Sequence, residues 1–438
     1  MVIDPRQTPI QVAQVDVDAP DRPPATLTRT TTVLALVRMH RHPLGVIGTR
    51  LPAGSDLHSG LRTAACTQLG PQLAEHARRD WIGADSRRPP TAGAAPAGAE
   101  QEPPCRRARA AVLADPPPIT VIIATRERPA PLARCLASLA ALDYPRYEVL
   151  VVDNDPESDA TRRAAEHAPG PVRYLRTRRR GVAVAHNLGA REATGGILAF
   201  TDDDVTVDRD WLAAIAETFT DPHVGCVTGL IMPGELETPQ QAMLERRGGY
   251  GKGFTAKVFP APPGSPPDPG DRLFPFTAGR MGSGANMAFD AELLARLHGF
   301  DPALGPGTPA RAGEDLLALF RAAAAGRRVV YQPDALVWHH HRRDPGALEA
   351  QARGYGIGLG AYLTSALVHE PKMLPVLLRL LPDGVRYALR NSSKDQDDPA
   401  AWPRHLSALE RRGLIRGPAA YAHSRWTTRY NAVPERSR

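Results

Sequence analysis

Thr201-Asp202-Asp203-Asp204-Val205 sets three carboxylates side by side. Neighbouring carboxylates repel unless something positive sits among them. A divalent cation that prefers oxygen ligands, Mg²⁺ or Mn²⁺, is the usual answer. Such a cation commonly takes substrate phosphates as well as protein ligands. An isolated Asp run reads more simply as a solvated acidic turn. Its surroundings argue otherwise here. The apolar run Ile197-Leu198-Ala199-Phe200 precedes it, and Asp208-Arg209-Asp210-Trp211-Leu212 opens a helical pattern after it. That is the pattern of a buried strand opening into a loop.

Two further groups could do chemistry. Glu314-Asp315 stands before Leu316-Leu317-Ala318-Leu319-Phe320, an apolar helical stretch. Acids are favoured at a helix start by the dipole alone, by about 0.3–1 kcal/mol. His339-His340-His341 ends an apolar strand pattern that begins at Arg328. Imidazole can join carboxylates on Mn²⁺. Side chains alternate along a strand, so His339 and His341 are alternatives on one face. A polar strand end with no ligand is the plainer reading.

These groups must be positioned by regular elements. Ile119-Thr120-Val121-Ile122-Ile123-Ala124 is a continuous apolar run of the kind found in central parallel strands. Tyr147 to Val152, Val172 to Leu175 and Ile197 to Phe200 are further strands, with helical patterns between them. Alternating strands and helices imply an α/β domain with a mostly parallel sheet. Ligands of such sheets sit beyond the carboxyl ends of the strands. Thr125 and Glu127 end the first strand, Asp153 the second and Asp202 to Asp204 the fourth. Chain order therefore brings acids from three strand ends to one edge.

The whole chain has 438 residues, 42% hydrophobic and 23% charged, a globular balance that suggests two or three domains. The formal charge of +7 suits nucleic acid, anionic membranes or phosphorylated substrates without choosing among them. No aromatic-interleaved basic motif supports nucleic acid. The four cysteines contain no C-x-x-C pair, so neither a zinc site nor a disulfide framework is indicated. No signal-type or membrane-spanning apolar stretch is seen, so the expected location is cytoplasmic. The expected organisation is a disordered 1–30, an accessory hairpin–helix unit at 31–82 and a Pro/Ala-rich linker at 83–117. The main domain follows at 118–345, then a helical region and tail at 346–438. Residues 260–271 read as a mobile loop. Glycines at 354, 356, 358 and 360 suggest close helix packing, since no Lys-Ser/Thr follows to make a phosphate loop. The apolar 373–381 stretch could lie on a membrane surface or pack on the main domain.

Taken in order, six motifs resemble family 2 glycosyltransferases with the GT-A fold. They are Val121 to Arg126, Val151-Val152-Asp153-Asn154, Gly181…His186-Asn187-Leu188-Gly189, Asp202 to Asp204, Gly284-Ala285-Asn286-Met287 and Gly313-Glu314-Asp315. The resemblance covers residues 118–345. It implies inverting transfer from a nucleotide sugar, with Mn²⁺ or Mg²⁺. Thr125, Arg126, Glu127, Asp153, Gly181, Asn187, Asp202, Asp203 and Asn286 would bind the donor. Asp204, Asp202 and His339 would hold the metal. Asp315 would be the general base, with Glu314 orienting the acceptor or substituting for it. The family pattern often has Arg before Asn187, where this chain has His186. Arg176, Arg178, Arg179 and Arg180 could hold phosphate or simply face solvent. The family commonly uses uridine diphosphate sugars, so a UDP-sugar is the expected donor. The acceptor would be a glycan, a lipid-linked sugar or a small molecule, with possible peripheral contact at the inner face of the cell membrane. The Gln-x-x-Arg-Trp motif of processive synthases is absent, which points to single transfers. The alternatives are another nucleotide-sugar enzyme on a similar sheet and a catalytically silent carbohydrate-binding or scaffold protein.

Overall fold

The computed structural model describes residues 3–19, 23–80, 103–247, 249–260, 271–380, 382–383 and 402–430. The first unit is a three-stranded sheet backed by a helix. Strands β1 (Gln11–Asp16) and β2 (Thr31–Met39) run parallel, and β3 (His42–Leu51) returns antiparallel to β2. Helix α1 (Leu57–Asp80) turns Leu61, Ala65, Leu73 and Ala77 onto this sheet. These are residues that helical spacing predicts, and Leu69, where the helix kinks two residues before Pro71, also packs partly buried against the same cluster. Two expectations are corrected. Residues 1–30 are not wholly disordered, because β1 completes the small sheet. The stretch expected to be a linker contains helix α2 (Pro104–Ala114). It has no apolar period to betray it; proline in its first turn and helix-favouring Ala and Arg build it.

The main domain is one nine-stranded sheet. In chain order its strands are β4 (Ile119–Thr125), β5 (Tyr147–Asn154), β6 (Val172–Thr177), β7 (Ile197–Asp202), β8 (Val205–Val207), β9 (Val224–Pro233), β10 (Lys257–Phe259), β11 (Asn286–Asp290) and β12 (Arg328–His339). Their spatial order is β10-β12-β9-β11-β7-β4-β5-β6, with β8 added on β12. The four strands legible in the sequence, β4 to β7, are mutually parallel. Beyond β7 the sheet is mixed, because β11 runs antiparallel to both its neighbours. Both faces are covered. Ile119, Val121 and Ile123 pack with Leu132, Leu136 and Trp211 on one face, while Ile122 joins Phe200, Phe289 and Phe300 on the other. This two-sided burial is why β4 reads as unbroken apolar sequence. Helices α3 (Pro129–Leu139), α4 (Ala160–Glu166), α5 (Val182–Glu192), α6 (Trp211–Thr218), α7 (Pro239–Arg246), α8 (Ala291–Arg296) and α9 (Glu314–Ala324) connect the strands.

Helices α10 (Pro345–His369) and α11 (Arg404–Tyr430) pack closely against each other. A side-chain carbon at Gly356 would sit 2.1 Å from the Glu410 carbonyl, and one at Gly360 2.3 Å from that of Leu414. Of the alternating glycines, Gly356 and Gly360 thus serve helix packing as read, Gly358 faces Ala312 of the main domain, and a side-chain carbon at Gly354 would meet nothing within 4 Å. The expected mobile loop lies outside the described residues from 261 to 270, as do most of the residues between 381 and 401.

Buried ion pairs dock the first unit on the main domain. Arg38 of β2 bonds Asp208 at 2.6 and 3.1 Å, with both side chains 9% exposed. Arg41 reaches Asp210, His42 reaches Asp334, and Arg109 of α2 lies between Asp210 and Asp334. Removing one member of a buried pair strands the other charge, at a cost of about 3–5 kcal/mol. Arg38→Ala should lower stability by that amount in urea unfolding of the full chain. A loss below about 1 kcal/mol, the level of a surface pair, would show that the interface does not depend on it.

Candidate active site

The acidic loop is held between two strands. Strand β7 ends at Asp202, and β8 starts at Val205. β8 pairs antiparallel with the end of β12, setting His339 opposite Val205. The next backbone contact, His340 N–H to the Asp204 carbonyl at 2.9 Å, closes the arrangement. His339 Nε2 therefore comes within 3.3 Å of Asp204 Oδ1. One ligand atom each from Asp202, Asp204 and His339 lies within 4.8 Å of the others, a group able to hold a metal ion. His341 sits on the same side, but its Nε2 meets Glu245 at 2.5 Å and its Nδ1 lies 2.9 Å from His339 Nδ1. Of the two alternatives, His339 is the one that reaches the carboxylates.

The three acids have different environments. Asp203 turns inward, where its carboxylate accepts from the Thr125 hydroxyl at 2.7 Å and from Arg128. Arg128 also donates to Asp204 Oδ2 at 2.9 Å. This arginine, the residue just before α3, places a guanidinium among the three acids. Sequence reasoning passed over it, although it follows Thr125-Arg126-Glu127 directly. Burial and the Asp204 charge push the Asp202 carboxyl up to about 7. Burial, opposed by Arg128, leaves Asp203 at about 6. Burial would raise Asp204 too, but its bonds to His339 and Arg128 hold it well below the usual carboxylate range. Burial disfavours charge on His339, yet the contact with Asp204 keeps its imidazole above its ordinary value.

Along the same edge, Asp153 ends β5 and is fully buried. Tyr174 donates to its Oδ2 at 2.9 Å, while its Oδ1 makes no well-formed hydrogen bond among the described residues, with the Thr161 hydroxyl nearby. Glu127 adopts a left-handed backbone (φ 52°) and accepts from the Glu157 and Ser158 amides and the Ser158 hydroxyl at 2.7–2.9 Å. Arg126 donates to the Asp155 carbonyl at 3.1 Å and to Glu157 at 2.6 Å. These two residues tie the loop after β4 to the loop after β5. Gly181, at φ 131°, starts α5 and donates its N–H to Asn154. Arg178 and Arg180 are exposed, and Arg176 donates only to the Pro156 carbonyl, at 3.4 Å.

Three motif residues serve the framework instead of the open edge. Asn286 is 1% exposed; it accepts from Trp211 Nε1 and donates to the Leu230 and Ala335 carbonyls. Asn187 exchanges two 2.8 Å bonds with the Phe300 backbone. His186 is buried against Phe200 and Phe300, and burial lowers its imidazole to about 4. It is a neutral core residue at pH 7.

Gly313, at φ 101°, turns the chain into α9, whose first residues are Glu314 and Asp315. Glu314 is buried, with its carboxyl packed against Gly305, where a side-chain carbon would lie 2.8 Å from Oε2. Asp315 is half-buried. Its Oδ2 accepts from the Gly284 N–H, and its Oδ1 from Leu316, both at 2.8 Å. Burial raises both carboxyls, Glu314 most, and the Asp315 charge helps to raise Asp202. The Asp202 charge raises Glu314 in turn, so both carboxyls feel the acidic loop, and Glu314 is the more deeply buried of the two. Beside His339, Tyr250 stacks edge-on at 5.2 Å, and Gln351 of α10 donates to the hydroxyls of Tyr250 and Tyr355. Gln351 and Tyr355 are one helical turn apart, the one sequence signal for this cluster.

Comparison with known proteins bears on the family. The model for "Glycosyl transferase family 2" matches residues 120–291, and that for "Glycosyltransferase like family 2" matches residues 276–356. The succinoglycan biosynthesis protein ExoM of Rhizobium meliloti is 36% identical over 118 residues, covering 25% of this chain and 38% of that protein. The pre-mycofactocin glycosyltransferase of Mycobacterium tuberculosis is 27% identical over 264 residues, covering 59% of this chain and 50% of that protein. The chain thus spans half or less of these relatives' length. A mannosyltransferase of Pyrobaculum calidifontis, solved with GDP-Man and Mn²⁺, is 22% identical with a TM-score of 0.42; the match covers 72% of this chain and 88% of that one. The two models together span residues 120–356, more than half of the chain, and the chain belongs to glycosyl transferase family 2.

Proposed function

We propose that the chain transfers a sugar from a nucleotide-sugar donor to a hydroxyl acceptor, with inversion and with help from a divalent cation. The observation that carries this reading is the convergence of Asp202, Asp204 and His339 at the carboxyl end of β7. Two carboxylates and an imidazole fit Mn²⁺, and Mg²⁺ less closely. Arg128 already supplies positive charge to Asp204 and to the neighbouring Asp203, which supports a need for it in this loop. When bound, the cation would offset the charge of the departing nucleoside diphosphate as a Lewis acid.

The chain's own residues have separable tasks. Asp153 Oδ1, buried at a strand end without a well-formed hydrogen bond among the described residues, is a ready acceptor for the base or ribose of the donor. Thr125 and Arg126 border it, and Glu127 fixes the shape of that loop. Asp203 anchors Thr125 and Arg128 instead of joining the cation. Asp315 takes the acceptor proton as its oxygen attacks the anomeric carbon. The expected donor is a UDP-sugar, which a panel of nucleotide sugars tested with and without Mn²⁺ would check; equal binding of every base would contradict it. Among the described residues no helix is long and apolar enough to cross a membrane. Ile415 and Trp426, 80% and 64% exposed, lie about three turns apart on one face of α11. This supports contact with a lipid surface that carries the acceptor. Ile415→Lys should reduce sedimentation with anionic vesicles; unchanged sedimentation would reject the contact.

The metal reading predicts a pH dependence. With its carboxyl at about 7, Asp202 is protonated below that pH and must lose its proton to bind a cation. Mn²⁺ affinity should therefore rise between pH 6 and 8 and level off above, and Asp202→Asn should flatten the rise. Asp204→Ala should abolish the Mn²⁺-dependent part of donor binding. Calorimetric titration that finds equal Mn²⁺-dependent affinity in Asp204→Ala and wild type would remove Asp204 from the site.

The base assignment predicts a split between binding and turnover. Asp315→Asn should leave donor affinity near wild type while transfer falls by about 10²–10⁴-fold, the usual contribution of a positioned base. Glu314→Gln, at a side chain turned into the core, should retain transfer better. If Glu314→Gln is inactive and Asp315→Asn active, the base is Glu314.

A further inference from the structure

Far from the acidic loop, four side chains from three elements meet where the first unit joins the main domain. His40 lies in the turn between β2 and β3, with a left-handed backbone at φ 53°. His76 and Asp80 are one turn apart on the last turns of α1. Cys105 is in the first turn of α2. One ligand atom from each lies within 4.8 Å of the others. Cys105 Sγ is 2.8 Å from Asp80 Oδ2, 3.5 Å from His40 Nδ1 and 4.0 Å from His76 Nε2. Asp80 Oδ2 is 2.7 Å from His40 Nδ1 and 3.3 Å from His76 Nε2.

We propose that these four residues bind a structural Zn²⁺ ion that fastens α2 to the first unit, at the β2–β3 turn and the end of α1. A thiolate, two imidazoles and a carboxylate form a complete tetrahedral donor set for zinc. Tetrahedral zinc with ordinary bond lengths sets its ligand atoms about 3.3–3.6 Å apart; five of the six separations here run from 2.7 to 4.0 Å, and the sixth, between the two imidazoles, is within 4.8 Å. The charges close as well. One thiolate, one carboxylate and two neutral imidazoles neutralise Zn²⁺, and the thiol proton leaves to solvent. His40 is also supported from behind: Asp18 Oδ1 accepts from its backbone N–H at 2.7 Å, and Asp18 Oδ2 faces its Nε2 at 3.8 Å. Metal-bound histidines commonly keep such a carboxylate on the other ring nitrogen. All four protein positions are filled, so the site is closed and has no room for a reacting water.

The position of the ion explains its use. Cys105 follows Asp80 by 25 positions in the chain, so the ion would cross-link the end of α1 to the start of α2. It would also fix the start of α2, whose Arg109 pairs with Asp210 and Asp334 of the main domain. The cysteine spacing in the sequence did not suggest zinc because three of the four ligands are not cysteine.

Metal analysis and Co²⁺ substitution of the full chain test the proposal. Wild type and Asp204→Ala should each retain one equivalent of zinc through dialysis. Cobalt in its place should give a thiolate-to-metal charge-transfer band. Cys105→Ser should lose the band, His76→Ala should lose the zinc, and a chelator should lower the melting temperature of wild type. A cation at the acidic loop would give no thiolate band, so the two sites are read separately. Wild type that takes up no zinc and shows no thiolate–cobalt band would overturn the proposal. So would a band that survives in Cys105→Ser. If the variants do not fold, the cobalt spectrum of wild type decides alone.

Discussion

Three consecutive carboxylates at the end of a buried strand are a charge problem, and the site is organised around its solution. Asp202, Asp203 and Asp204 cannot all be ionised in a half-dry loop without nearby positive charge. The chain divides the load. Arg128 and Thr125 hold Asp203, Arg128 and His339 hold Asp204, and Asp202 is left with its carboxyl pushed up to about 7. A loop in this state gains from a divalent cation, and the diphosphate of the proposed donor would take the same cation. One ion would then answer both the electrostatic strain of the loop and the chemistry of the proposed substrate.

The framework keeps that loop from relaxing. β8 is only three residues long, yet its pairing with β12 brings His339 beside Asp204. Asp208 follows β8 directly and is bonded to Arg38 of the first unit. The segment leaving the acidic loop is thus clamped by a sheet on one side and a buried ion pair on the other. Asp334, in the middle of β12, is held by His42 and Arg109. The first unit, although outside the α/β sheet, braces both strands that meet at the site. A zinc ion at His40, His76, Asp80 and Cys105 would stiffen that brace.

Much of this was legible in the sequence where the signal is local. Continuous apolar runs marked β4, β5 and β7, and acids at their ends marked the edge. Alternation along a strand that ends in His left His339 and His341 as alternatives, and only the contact with Asp204 distinguishes them. What escaped notice depends on distant contacts. β1 carries a weak pattern and is a strand because β2 lies beside it. Helix α2 buries little beyond Arg109, so it has no apolar stripe. Arg128 is one of many arginines, and only the geometry at the start of α3 sets it against Asp203 and Asp204. Asn187 and Asn286 sit in motifs that suggest ligand contact, yet their amides hold backbone. Asparagine satisfies a loop carbonyl and a substrate equally well, so the sequence does not separate the two uses.

Anomalous diffraction at the manganese edge, from crystals of the full chain grown with Mn²⁺ and a nucleoside diphosphate, bears most directly on this account. It predicts a manganese peak bound by Asp204 and His339, with Asp202 adjacent, and with Arg128 drawn away from at least one of its two carboxylates. A diphosphate seated on this edge with no manganese among those residues, and Arg128 still bonded to both Asp203 and Asp204, would contradict it.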